Sequence, residues 1–398
     1  MISMKIIWVS VLTLDSSLHK TTQIEILRSL EKRGHKTVLF AMISKHWFRT
    51  SGQSKLAGVP LLNVFPMRYV PIVSVVLYTI LMTIILPIKI LSFNADVVIL
   101  EPDISIISSI PSLLIGKLKK TKFVLDVRSV PVEVNGFLGM LKNFWYKISL
   151  SAAKIWFSGI TTITPMMKEK ICTDFSIKPD KVGVWSSGVS VTLFNPDYWS
   201  SKGYKLRIKL GLVDKFVVLY HGHITENRGL VEAVEGIKIL ARKNSNVILF
   251  ILGSGPATSK LKSIVEKENL QVNVIIHKAV EYEQVPLFIS MSDVGIIPLP
   301  NYSYWKPQSP LKLLEYLAME KVVIATDIPC HRYILGNQNC CVYIPSSSPE
   351  AIAKGIEYTL ANKDKFINLG YYGRKIILEK YTWEKVAEDF EQYLMSLK

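Results

Sequence analysis

The sequence predicts an α/β protein built from two doubly wound, parallel-sheet domains, and three observations predict it. A length of 398 residues suits two domains at roughly 100–200 residues each. Short runs of apolar and β-branched residues alternate with longer amphipathic segments along the whole chain, which is the pattern of βαβ units. Those runs are continuously apolar rather than alternating, as strands covered on both faces require. Hydrophobic residues at 49% and charged residues at 20% supply a sizeable core and exclude global disorder.

Taken in order, Lys5–Ser10 is the first strand. Its apolar run resembles a short leader, but no small-residue cleavage site follows, so a strand is the better reading. Gln23–Lys32 places Ile24, Leu27 and Leu30 at helical spacing, with Glu25, Arg28 and Lys32 on the other side. Gly34 stops that helix, and Lys36–Ala41 is the next strand. Asp96–Leu100, Lys122–Leu125 and Gly159–Ile163 continue the sheet. Phe194-Asn195-Pro196-Asp197 carries turn chemistry and reads as the linker closing an N-terminal domain at residues 1–197. Strands then follow at Phe216–Tyr220, Val247–Leu252, Val274–His277, Val294–Pro298 and Val322–Thr326. Between them lie helices at Leu230–Arg242, Gln284–Ser290 and Pro310–Met319. This second domain is expected over 198–375, with residues 376–398 forming a helix that returns to the first.

Charge is unevenly placed. The chain carries 48 Lys and Arg against 32 Asp and Glu; the first 197 residues hold a net +11 and the remainder +5. Such an excess points to an anionic partner: nucleic acid, a membrane surface or a phosphorylated substrate. The basic residues are scattered rather than interleaved with aromatics, and no recognition motif occurs, so nucleic acid is set aside. Residues 69–88 hold no charge at all. Three readings stay open for them: a bilayer span, a helix dipping into the membrane interface, or an unusually apolar packed helix. Cys172, Cys330, Cys340 and Cys341 form no Cys-x-x-Cys pair and are read as reduced thiols of an intracellular protein.

Three constellations carry chemistry. Ser309-Pro310-Leu311-Lys312 opens a helix, with Ser309 as the expected N-cap and Pro310 in the first turn; Glu315 lies less than two turns inside. Free N–H groups there suit a phosphate, and the carboxylate suits a ribose diol. Gly222-His223, with Arg228 a few residues on, follows a strand end and precedes a helix, where an Arg neutralises a diphosphate. Gly253 and Gly255, in Gly-Ser-Gly-Pro, follow another strand end. Each is also explained by ordinary capping or turn formation. Together they fall at the carboxyl ends of parallel strands in one domain and face one crevice.

These residues resemble the donor domain of retaining glycosyltransferases of family 4, glycosyl transferases group 1, of the GT-B fold. The matching stretches are Gly222-His223 with Arg228-Gly229, Gly253–Pro256, Asp293–Pro298, Glu315–Met319 and Val322–Asp327. Tyr381-Thr382-Trp383-Glu384 resembles the family's closing stretch, Arg33-Gly34-His35 its Gly-His turn, and Ser187-Gly188-Val189 with Phe194-Asn195-Pro196 its interdomain stretch. Three departures stand out. Pro307 occupies the place of the first Glu of Glu-x7-Glu, His223 that of an Arg, and Leu14–His19 that of a Gly-Gly loop.

The resemblance implies two Rossmann-like domains facing an interdomain cleft, and transfer of a sugar from a nucleotide-diphosphate sugar with retention. Arg228 and Lys312 would supply the positive field, and Glu315 would hold the ribose. No Asp-x-Asp occurs, so neither a metal nor a cofactor is expected. On the acceptor side the candidates are Asp126 and Arg128, after the strand at Lys122–Leu125, with Glu101 and Asp103 behind them. Asp126 would orient or deprotonate a hydroxyl, and Arg128 would touch donor sugar or phosphate; a buried structural Asp–Arg pair is the other reading. The basic first domain, the segment at 69–88 and Lys117-Leu118-Lys119-Lys120 suggest an anionic membrane as partner and a lipid-linked or glycan acceptor. The expected location is cytoplasmic, peripheral at the inner face of the cell membrane. An epimerase or a sugar phosphorylase of the same fold is the alternative.

Overall fold

The structure is a computed structural model that describes residues 3–13, 19–42, 55–56, 59–63, 73–132, 136–243, 246–336 and 340–397. The expected first-domain loop at residues 14–18 lies outside them. The chain divides into two compact units, one of Met1–Ser187 with Trp383–Lys398 and one of Gly188–Thr382.

The first unit holds β1 (Lys5–Thr13), β2 (Lys36–Met42), β3 (Lys55–Leu56), β4 (Val59–Asn63), β5 (Val97–Leu100), β6 (Lys122–Val127), β7 (Gly159–Thr162) and β8 (Val182–Val184). They form one eight-stranded sheet in the order β3-β4-β2-β1-β5-β6-β7-β8. Every pairing is parallel except β3 with β4. Its helices are α1 (His19–Lys32), α2 (Val73–Phe93), α3 (Ser109–Lys119), α4 (Gly136–Trp156) and α5 (Pro165–Phe175). β1 is central because Ile6, Ile7, Trp8 and Val9 are all fully buried.

Winding fixes which helix covers which face. β1 to β2 steps one way across the sheet; β4 to β5, β5 to β6, β6 to β7 and β7 to β8 step the other way. Right-handed crossovers therefore place α1 on one face and α2, α3, α4 and α5 on the opposite face. The C-terminal helix (Trp383–Ser396) joins α1: Trp383, Val386, Ala387, Phe390 and Leu394 share a core with Trp8, Ile24, Leu27 and Leu30. Phe390 stacks on Trp185 at 4.7 Å between centroids, and Trp8 meets Trp185 edge-on at 6.3 Å. Glu391 of the same helix receives Arg33 and, at 2.8 Å, His35 Nε2.

The charge-free segment resolves into α2. Ser74, Tyr78, Thr79, Met82, Leu86 and Ile90 are buried in the unit, and the helix packs on α3 before entering β5. With a mean hydropathy of 2.2 it is long and apolar enough to cross a membrane by length and composition. Residues 69–72 lie outside the described residues.

The second unit holds β9 (Phe216–His221), β10 (Val247–Leu252), β11 (Val274–His277), β12 (Val294–Ile297), β13 (Val323–Thr326) and β14 (Cys341–Ile344), all parallel, in the order β11-β10-β9-β12-β13-β14. Its helices are α6 (Pro196–Lys209), α7 (Leu230–Ala241), α8 (Thr258–Lys267), α9 (Val285–Met291), α10 (Leu311–Ala318), α11 (Pro329–Leu335), α12 (Pro349–Ala361) and α13 (Lys363–Ile376). The expected linker at Phe194–Asp197 is a helix start: Asn195 caps α6, accepting from the Asp197 and Tyr198 N–H groups. The strand order reverses between β9 and β12. Ligands of open α/β sheets bind at such a switch point, beyond the carboxyl ends of the strands.

Candidate active site

The switch point of the second unit gathers most of the residues singled out from the sequence. β9 ends in His221, and Gly222 follows at a φ of +119°, which L side chains rarely adopt. A Cβ there would also stand 3.3 Å from Lys312 Nζ, so the two loci adjoin. Gly253 instead permits a close approach, since a Cβ on it would overlap the Gly222 carbonyl oxygen. The turns after β9 and β10 thus lie backbone to backbone, joined by Gly222 N–H to Leu252 O at 2.9 Å and Ile224 N–H to Ser254 O at 3.0 Å. Gly255 likewise faces the Ile224 carbonyl.

α10 supplies the other half. Pro310, extended at a ψ of 110°, is its N-cap, which corrects the expectation that Ser309 caps the helix and Pro310 starts its first turn. Ser309 is one residue further out, and its buried Oγ has no partner. Lys312 is 8% exposed, and its Nζ lies 3.7 Å from the Tyr220 ring centroid with no hydrogen-bond partner. Burial, and then the neighbouring Arg228, push its pKa well below the ordinary lysine value. Arg228 sits in a short 3₁₀ turn, Glu226–Arg228, with its guanidinium 5.0 Å from the Trp305 ring and its buried Nε unpartnered.

Glu315, 4% exposed, lies one turn deeper, and burial pushes its carboxyl up to about 7 against the opposing pull of Tyr282 and Lys312. His221 Nε2 stands 3.3 Å from its Oε2, off the line of a hydrogen bond. Burial, reinforced by Lys312, holds His221 neutral well below the usual imidazole pKa.

The site includes three residues to which the sequence assigned no role. Tyr316 pins α10 to β9, its hydroxyl donating to Leu219 O at 2.7 Å and accepting from His221 N–H at 3.2 Å. His331 of α11 is fully buried, with Nδ1 2.7 Å from Thr326 O and Nε2 unpartnered. Its neighbour Lys312 adds to the burial that lowers its pKa to about 4. His221 is the third. All three read in sequence as ordinary core positions of a strand or helix. His223, expected beside the phosphate, is exposed, and its carbonyl accepts the Tyr220 hydroxyl at 2.8 Å.

Asp126 and Arg128 belong to the other unit. Asp126 ends β6 fully buried; its Oδ1 accepts from Thr161 Oγ1 at 2.7 Å and from Trp185 Nε1 at 2.9 Å, while its buried Oδ2 has no partner. Arg128 stands over the Trp185 ring, its Cζ 3.7 Å from the centroid, and donates to Trp185 O at 2.9 Å and Ser187 Oγ at 3.3 Å. Burial lowers its pKa only to about 10, so it stays cationic at neutral pH. Glu101, beyond β5, receives Gln23 and Trp8 Nε1, and burial next to Asp103 and Asp126 pushes it to about 8. Asp103 caps the short turn at Ile104–Ser108. Removing the Asp126 carboxylate leaves two buried donors unpaired, so Asp126→Ala is expected to cost about 2–4 kcal/mol of stability. Urea titration of the variant checks this.

Among the described residues no three His, Cys, Asp or Glu side chains converge as a metal group would. The buried atoms without partners at the switch point are instead His221 Nε2, Arg228 Nε, Ser309 Oγ, Lys312 Nζ and His331 Nε2. Every one is able to donate, given the right tautomer or rotor, and a buried donor without an acceptor is costly. An anion with several oxygens would satisfy them.

A fold of two parallel-sheet α/β domains is that of the GT-B glycosyltransferases. Residues 205–376 match the family described as glycosyl transferases group 1. The chain is 26% identical over 279 residues to the capsular polysaccharide biosynthesis glycosyltransferase CapM of Staphylococcus aureus, covering 67% of this chain and 68% of that one. It is 23% identical over 235 residues to an uncharacterized glycosyltransferase of Methanocaldococcus jannaschii, a match spanning 58% of each chain. Among solved structures, a Rickettsia africae glycosyltransferase superposes with a TM-score of 0.76 at 17% identity, over all of both chains. Anabaena HepE in complex with UDP and glucose superposes with a TM-score of 0.77 at 11% identity, over 99% of this chain and 100% of that one.

Proposed function

We propose that this chain is a glycosyltransferase that moves a sugar from a nucleoside-diphosphate sugar to an acceptor hydroxyl, with retention at the anomeric carbon. The observation that carries the reading is the set of unpartnered buried donors around Lys312 and Arg228 at the switch point of the second unit. As the glycosidic bond breaks, negative charge grows on the leaving diphosphate while the sugar becomes oxocarbenium-like. Lys312 and Arg228 meet that charge, aided by N–H groups at the start of α10, and do so without a metal ion. Glu315, six residues past Ser309, accepts the ribose hydroxyls. The HepE complex favours UDP as the leaving group. Retention rests on the resemblance to family 4. The CapM match favours an acceptor in glycan synthesis, a growing glycan or a lipid-linked sugar met at the cytoplasmic face of a membrane.

Thermal shift against a panel of nucleotide sugars tests the donor. At a hundredfold excess over Kd a cognate donor stabilises by about 2.7 kcal/mol, a shift of several degrees. Proton NMR of the product then tests retention: the new linkage should keep the donor's anomeric configuration. Stabilisation by no nucleoside diphosphate would sink the reading. Transfer to phosphate would identify a phosphorylase, and a changed sugar without transfer an epimerase.

A further inference from the structure

Three of the helices on one face of the first sheet, α2, α3 and α4, leave large apolar side chains in solvent. α3 buries Ser109, Ser112 and Gly116, and turns Ile110, Leu114 and Leu118 to solvent at 59%, 70% and 84% exposure. Gly116 is required for that arrangement, since a Cβ there would overlap the Phe123 ring. α4 buries Tyr146 and Leu150 together with Gly139, Ser149 and Ala153, yet exposes Phe137, Met140, Phe144, Ile155 and Trp156. α2 buries one stripe and exposes Ile80, Ile84 and Ile88 along another. A soluble helix keeps its large apolar side chains inward, and contiguous apolar patches of this extent mark interaction sites. α2, α3 and α4 contain no Asp or Glu, yet carry Lys89, Lys117, Lys119, Lys142, Lys147 and Lys154. Lys120 follows α3 directly, and of these lysines all but Lys89 are exposed.

We infer that this face is a monotopic docking surface for an anionic lipid bilayer. α2, α3 and α4 lie along the membrane interface with their apolar stripes in the acyl boundary and their lysines among acidic headgroups. Charge complementarity chooses the occupant: a second copy would set lysines against lysines without one carboxylate from these helices to pair them. Burial of the other stripe of α2 makes the binding in-plane rather than spanning. The inference rests on the membrane-side acceptor proposed above and specifies the surface that meets it. The donor pocket needs none of it.

The test is flotation of the full chain with vesicles of equimolar phosphatidylcholine and phosphatidylglycerol, beside vesicles of phosphatidylcholine alone. The protein should float with the anionic vesicles at low salt and be released by high salt. Leu114→Ser with Leu118→Ser, and separately Lys117→Glu with Lys119→Glu, should each lower partitioning by roughly tenfold or more. These positions are exposed, and unchanged circular dichroism confirms folding. No flotation at low salt overturns the inference, as does flotation unaltered in both variants. Concentration-dependent dimerisation without flotation would assign the face to a second copy and overturn it equally. A UDP thermal shift on the same samples separates failure of the docking surface from failure of the donor reading.

Discussion

Replacing Lys312 by Met should lower kcat/KM for sugar transfer by roughly three orders of magnitude while leaving the free protein at least as stable. The two halves of this expectation have one cause. Lys312 Nζ is buried without a hydrogen bond, and burial together with Arg228 holds its pKa far below the ordinary value. In the unfolded chain the amine keeps its proton up to about 10.4. Between the lowered folded value and the unfolded one the unfolded state binds more protons than the folded one, and within that window the group's penalty shrinks as pH rises. Met keeps the apolar stem and removes that penalty, so the melting temperature of the free variant should not fall. The diphosphate-dependent rise in melting temperature should largely vanish, because the charge is needed only when phosphate oxygens arrive. Removing one preorganised charge at a developing anion costs on the order of a hundred- to a thousandfold. A variant that loses stability without ligand and keeps its UDP shift would show that Lys312 is structural. Arg228→Ala should follow the same pattern more weakly, since Arg228 is only half-buried and stands beside Trp305.

The residues legible in the sequence are those that break a pattern. Gly222, Gly253 and Gly255 interrupt apolar strands, Arg228 stands charged before a helix, and Ser309-Pro310 punctuates one. Backbone geometry demands such residues at strand ends, so their positions are readable before their chemistry is. His221, Tyr316 and His331 obey the apolar pattern of their elements and are invisible to it. Only the packing of α10 onto β9 and of α11 beside β13 turns them toward Lys312 and Glu315. The cap of α10 falls one residue later than expected because Pro suits both the N-cap backbone and the first turn. β8 and β14, short strands at the sheet edges, lack the length that makes a strand stand out. Asp126 is legible at a strand end, but its burial depends on Trp185, 59 residues on. The apolar character of α2 is plain in the sequence, whereas the inversion of α3 is not. Ser, Gly and Leu at helical spacing do not say which stripe faces the sheet until Phe123 is seen against Gly116.

Glu315→Ala should lower kcat/KM by on the order of a hundredfold, chiefly through weaker donor binding, and Glu315→Gln should separate charge from shape. The carboxyl is raised to about 7 mainly by burial. In the unfolded chain it titrates near 4.3. Between these values the folded state binds the extra proton, so stability falls as pH rises through that window. Gln, neutral throughout, should flatten the fall, and melting temperatures from pH 4 to pH 8 would show it. Donor binding has the opposite sign. An ionised carboxylate accepts both ribose hydroxyls, so affinity for UDP should improve as pH rises through about 7. On the alkaline side it should decline as Lys312, reprotonated by the diphosphate, loses its proton. The result is a bell whose acid limb belongs to Glu315 and whose alkaline limb belongs to Lys312. In Glu315→Gln the acid limb should disappear and the alkaline limb remain. If both limbs survive in that variant, the ribose contact lies elsewhere.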